Sequence, residues 1–181
     1  PLNEALWKSI QHYAATDEAK ALTGAMKRYL TKTIDSFKRH GAELPPAGKA
    51  RLKEIDVALT EATTKFSENV LDSTNAFELI LSEEKQLAGL PPSAVAAARA
   101  SAESKDKEGW RFTLHFPSYF PILQYADDRA LRETIYRANA TKASELGENP
   151  AWDNTQNIVD ILKLRDEEAK DRKSTRLNSS H

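Results

Sequence analysis

Histidine, glutamate and aspartate are the residues in this chain that could do hydrolytic chemistry, and their spacing decides which chemistry is open to them. A zinc hydrolase helix carries His-Glu-x-x-His: two imidazoles one turn apart hold the metal, and the glutamate deprotonates its water. His12, His40 and His115 do not fit that pattern, because no two of them lie four apart and none is followed by glutamate. Each has a plainer reading. His40 falls at an expected helix end, where a cation meets the negative dipole. His12 lies on the polar side of the first helix, and His115 on the polar face of a strand. The acidic runs Glu83-Glu84, Asp127-Asp128 and Asp166-Glu167-Glu168 are adjacent in sequence. Adjacent helix positions point about 100° apart, so such runs seldom converge on one site. The first two read as helix-starting charge and the third as a solvated face. Serine nucleophile elbows, phosphate loops and calcium loops are absent. With no cysteine, thiol catalysis, cysteine-ligated zinc and disulfides are excluded. No catalytic residue and no metal ligand is assigned.

The aromatic residues are the other candidates. Trp110, Phe112, Phe116, Tyr119, Phe120, Tyr125 and Tyr136 crowd one passage. Most such rings form core, because each buries a large area. A phenol can face a wet channel, so Tyr119, Tyr125 and Tyr136 are the candidates for lining a substrate channel.

Bulk properties limit the class. The chain has 181 residues, 40% hydrophobic and 29% charged, which suits a globular domain with a sizeable core. A net charge of −1 gives no basic field, so no nucleic-acid partner and no anionic membrane surface is expected. No apolar run approaches the ~20 residues of a membrane span.

Periodicity then places the elements. Leu2, Leu6, Ile10 and Tyr13 recur at helical spacing. Thr16 caps a second helix, with Leu22, Met26, Tyr29, Leu30, Ile34 and Phe37 on one face and Gly41 as its stop. "LPPAGKA" breaks the pattern before the longest helix, whose stripe is Leu52, Ile55, Leu59, Ala62, Phe66 and Val70. Short connections predict an antiparallel bundle of these three. Phe77 to Leu81 alternates as a strand. An alanine-rich helix over Pro92–Lys107 ends at Gly109. Trp110, Phe112, Leu114 and Phe116 then share one strand face, pairing with 77–81 in an undetermined direction. Ser118 caps a helix with Pro121 in its first turn. Asp127 or Asp128 caps the next helix, which turns Leu131, Ile135 and Ala138 inward. Asp153 and Gln156 form a capping box for a last helix bearing Ile158, Ile161, Leu162 and Arg165. The fold class is mainly α, with a minor two-stranded β element near 77–81 and 110–116.

The ends read as cut. The chain begins on Pro1, without methionine and in mid-pattern. From Asp171, "DRKSTRLNSSH" abandons the apolar stripe and reads as a non-native tail from a cloning junction. Residues 1–170 form one region and 171–181 the tail.

Three passages carry a family resemblance: "KFSENVLDSTNAFELIL", "LAGLPPSAVAAARASAESKDKEGWRFTLHFPSYFPILQYADDRALRETIYRA" and "WDNTQNIVDILKLRDEEAK". They resemble the N-terminal helical region of the thimet oligopeptidase / oligopeptidase A family, through loops as well as helices. The resemblance implies a zinc metalloendopeptidase of the cytoplasm, monomeric, that hydrolyses short peptides inside a channel walled by helices. It implies that zinc belongs to the full-length enzyme, at a His-Glu-x-x-His helix and a later glutamate beyond this chain, and that this piece binds none and is inactive alone. The family continues past "RDEEAK" with a Leu-Gly-Phe type sequence that "DRKSTRLNSSH" replaces here. The competing expectation is a stand-alone helical scaffold or peptide-binding module without catalysis, which should have polar ends and a closed core.

Overall fold

The structure is a computed structural model that describes residues 3–177, with side chains through 170. Leu2 and the far end of the tail lie outside the described residues. Eight α-helices and one two-stranded sheet occur among the described residues, so the chain is mainly α. It divides into two units, one of Pro1–Ala62 with Asp160–His181 and one of Thr63–Val159.

The first unit opens with α1 (Glu4–Ala15), α2 (Asp17–Lys20) and α3 (Gly24–Arg39). Asn3 caps α1 by accepting from the Leu6 N–H, and Thr16 caps α2 by accepting from Ala19. The single second helix expected from Thr16 to Gly41 is thus two helices. Gly24 has φ +54, a conformation that interrupts a run of right-handed residues. The buried residue of α1 is Trp7, not the expected stripe; Leu6 is 49% exposed. Trp7 stacks on Phe37 with ring centroids 5.6 Å apart. On α3, Met26 and Tyr29 are exposed, while Leu30, Ile34 and Phe37 of the same face are half-buried.

Gly41 does stop α3. The Gly41 N–H donates to the Lys38 carbonyl and the Ala42 N–H to that of Phe37, which is the Schellman closure. Its φ is +85, and a Cβ there would lie 2.7 Å from a Leu44 methyl. Helix α4 (Pro46–Ala76) starts inside the expected break, because proline at a first helical position lacks only an N–H with no helical acceptor. Leu52 and Ile55 are buried, as their stripe predicts. Arg51 forks from α4 onto Glu167 of α8 (Thr155–Leu177), with Nε 2.6 Å and Nη2 2.9 Å from the two carboxylate oxygens. Lys49 reaches Glu4 at 3.0 Å.

In the second unit, β1 (Leu79–Leu81) and β2 (Trp110–Phe112) pair antiparallel, with Leu79 opposite Phe112 and Leu81 opposite Trp110. The strands lie inside the expected spans but are shorter. Leu114 is buried beyond the strand, whereas Phe116 is 60% exposed and begins a helix. Helix α5 (Pro92–Glu103) ends before the expected Lys107. It closes with Asp106 at φ 53, where the Lys107 N–H donates to the Ala102 carbonyl. Gly109 has another task. At φ +86 it brings the backbone against the Leu81 carbonyl, where any Cβ would overlap the oxygen.

Helix α6 (Phe116–Tyr125) follows an N-cap at His115, not Ser118, and Pro121 sits inside it rather than in its first turn. The Ser118 hydroxyl instead accepts from the Thr113 N–H at 2.9 Å. Asp128 is the cap of α7 (Arg129–Thr141), accepting from Ala130 and Leu131. Leu131 and Ile135 are buried as expected, with Ala138 half-buried. Helix α8 begins one residue later than an Asp153 cap would place it; the Asp153 carboxylate accepts from the Thr155 N–H and hydroxyl at 2.8 and 2.7 Å.

The core of this unit gathers Leu81, Leu87, Leu90, Ala98, Phe112, Ile122, Ala126, Leu131 and Ile135. Asn69 and Asn154 are also buried: the Asn69 amide donates to Asn154 at 2.9 Å, and Asn154 donates to the Phe66 carbonyl at 3.1 Å. Full burial of Phe112 against half-burial of Trp110 sets an order of costs. Phe112→Ala should cost about 3–5 kcal/mol and Trp110→Ala distinctly less, since part of the indole stays in water in both states. Urea denaturation of both variants checks this; an equal or larger loss at Trp110 contradicts it.

Candidate functional site

The three tyrosines occupy different settings in the second unit. Tyr119 is half-buried against the core and edge-on to Phe116, with centroids 5.8 Å apart. Tyr125, at the last position of α6, is 47% exposed, and Tyr136 on α7 is 63% exposed. None of the three lines the clefts described below. Of the other aromatics, Phe112 is core and Trp110 packs against it. Phe116 and Phe120 stack on each other at 4.7 Å, the first 60% and the second 40% exposed.

The histidines do not converge on a metal. His12 is exposed in the last turn of α1. His40 is the C-cap of α3, with Nδ1 2.6 Å from the Ser36 carbonyl. His115 is the exposed N-cap of α6. Among the described residues, no three His, Asp or Glu side chains are grouped so as to hold a metal ion. A zinc centre therefore does not fit the donor set of these residues.

The most developed polar cluster was not singled out from the sequence. Glu78 accepts from Arg111 Nε at 2.7 Å and pairs with Lys107. Arg111 Nη1 also donates to the Ser101 hydroxyl at 3.0 Å. The residue order held a signal: a charged residue in a strand packed against a helix needs partners. Beside this cluster is a cleft of about 270 Å³ bordered by α5 and by β2 with the start of α6. A more open groove of about 630 Å³ lies along Leu87, Val95 and Trp110. Arg99 stands over the Trp110 ring at 5.7 Å from its centroid.

Comparison with known proteins gives the family. No protein-family model matches the chain. Oligopeptidase A of Haemophilus influenzae is 46% identical over 147 residues, 81% of this chain and 22% of that protein. Oligopeptidase A of Escherichia coli is 40% identical over 166 residues, 91% of this chain and 24% of that protein. The chain belongs to the thimet oligopeptidase / oligopeptidase A family. It spans less than a quarter of the length of these relatives. Oligopeptidase A of Salmonella typhimurium, 39% identical over 166 residues, gives the same picture. Within this family, the matched stretch supplies helices and the small ribbon.

The Glu78 cluster has a pH signature. Hydrogen bonds and charge from Lys107 and then Arg111 hold the Glu78 carboxyl below its ordinary value. A depressed folded-state pKa stabilises the fold above the unfolded value, near 4.3, and that contribution is lost as pH falls through the folded value. The stability gap between the native chain and Glu78→Gln should therefore be open at neutral pH and shrink as pH falls below the unfolded carboxyl value. Urea midpoints from pH 7 to pH 3 test this, and a gap that widens on acidification contradicts it.

Proposed function

We propose that this chain is a wall-forming part of a zinc-dependent oligopeptidase that hydrolyses short peptides. The observation that carries the proposal is the family match, which covers 81–91% of the chain and names oligopeptidase A each time. In this reading zinc is held by residues outside the segment. The segment alone is catalytically silent. Its contribution is shape: the second unit packs helices and a ribbon round one core, and the first ties its own helices together with ion pairs. Tyr119, Tyr125 and Tyr136 are the proposed channel-facing groups, and Tyr125 and Tyr136 have the exposure the role needs. The whole enzyme acts in the cytoplasm as a monomer and has no nucleic-acid or membrane partner.

The stand-alone module reading draws some support from the open groove beside Trp110. Among the described residues, the exposed side chains of Met26 and Tyr29 weigh toward the enzyme reading, because a self-contained module should bury its large apolar groups. A chimera tests the proposal. The matched segment of Escherichia coli oligopeptidase A is replaced by residues 3–170 of this chain, and hydrolysis of a quenched fluorescent peptide is measured. A folded chimera should keep kcat/KM within about tenfold of the parent, a change of roughly 1.4 kcal/mol in barrier. A folded but inactive chimera contradicts the assignment.

A further inference from the structure

The 270 Å³ cleft in the second unit has an apolar alanine face and several hydrogen-bond donors, with Asn75 and His115 also on its lining. One wall is a single helical face, Ala94, Ala97, Ala98 and Ser101, spaced three, four and seven residues from the first. The other wall brings Arg111, Thr113 and Ser118. Each of the three bordering hydroxyls already accepts a hydrogen bond. Ser101 accepts from Arg111 Nη1 at 3.0 Å, Ser118 from the Thr113 N–H at 2.9 Å, and Thr113 from the His115 N–H at 3.4 Å. None of them donates to another described residue. Their O–H hydrogens are therefore free to point into the cleft. Arg111 adds to this excess. Its side chain is 16% exposed and is fixed through Nε and Nη1, while Nη2 makes no bond among the described residues. Among the described residues Glu78 pairs with both Arg111 and Lys107, so these three groups together carry a net positive charge beside the cleft.

A pre-fixed guanidinium and three donor hydroxyls suit an anion with several acceptor lone pairs. The alanine wall adds apolar surface and room beyond the anion itself. The volume lies just below the range of about 300–1,000 Å³ usual for small-molecule sites. We propose that this cleft binds the C-terminal carboxylate of a short peptide ending in a small residue. The carboxylate follows from the donors; the choice of a peptide as its carrier rests on the peptidase reading above.

The test titrates the 181-residue chain with N-acetyl-dialanine and with its C-terminal amide, followed by backbone amide NMR. The acid should saturate with a Kd of about 10 mM or tighter and shift the signals of Ser101, Arg111 and Thr113. The amide, without charge, should bind at least about tenfold more weakly. Ala97→Leu fills the cleft without touching the ion pairs and should abolish binding with the spectrum otherwise native. Ser101→Ala should weaken it. Equal binding of acid and amide, binding that survives Ala97→Leu, or no saturation at all overturns the proposal. Inorganic phosphate binding as tightly as the peptide overturns the peptide assignment. The chimera assay has a separate outcome, so a failure here leaves the enzyme reading standing.

Discussion

The second unit depends on the close approach of Gly109 to the Leu81 carbonyl. That approach lets Trp110 begin a strand opposite Leu81, and it sets the register that brings Leu79 opposite Phe112. A slip of one residue would turn Phe112 to the wrong face. Phe112 is almost wholly buried, among residues drawn from the ribbon and from α5, α6 and α7. A ribbon this short has little stability of its own in water. It persists because its inner face is part of the core and its outer face is tied by Arg111 and Lys107 to Glu78. The same tether fixes Arg111 beside the donor-rich cleft.

The first unit rests on different chemistry. A stacked Trp7–Phe37 pair and the fork of Arg51 onto Glu167 hold its helices. Arg51 and Glu167 shift each other's titration in the expected senses, the carboxyl down and the guanidinium up, chiefly through their hydrogen bonds. Both groups are partly exposed, so the fork counts more for geometry than for stability.

Much of the fold was legible because its signals are local. The caps at Thr16 and Asp128, the stop at Gly41 and the stripe of Leu52 and Ile55 follow from neighbours three or four residues apart. What escaped depends on distant contacts. Gly109 reads as a helix stop until Leu81 stands beside it. Ser118 reads as a cap until the Thr113 N–H claims its hydroxyl. Asn69 lies on an apolar stripe, and its burial makes sense only with Asn154, 85 residues away. The candidate cleft was hidden for the same reason. Its donors come from α5, β2 and α6, and no periodicity links Ser101 to Ser118.

In the function proposed above, this chain shapes peptide-handling surfaces and the hydrolytic centre belongs to residues outside it. The most direct test is to purify the 181-residue chain, add zinc, and follow cleavage of a quenched fluorescent peptide. The account predicts no hydrolysis above the no-protein control at any zinc concentration. Zinc-dependent turnover that is abolished by a chelator and tracks the protein through purification would contradict it.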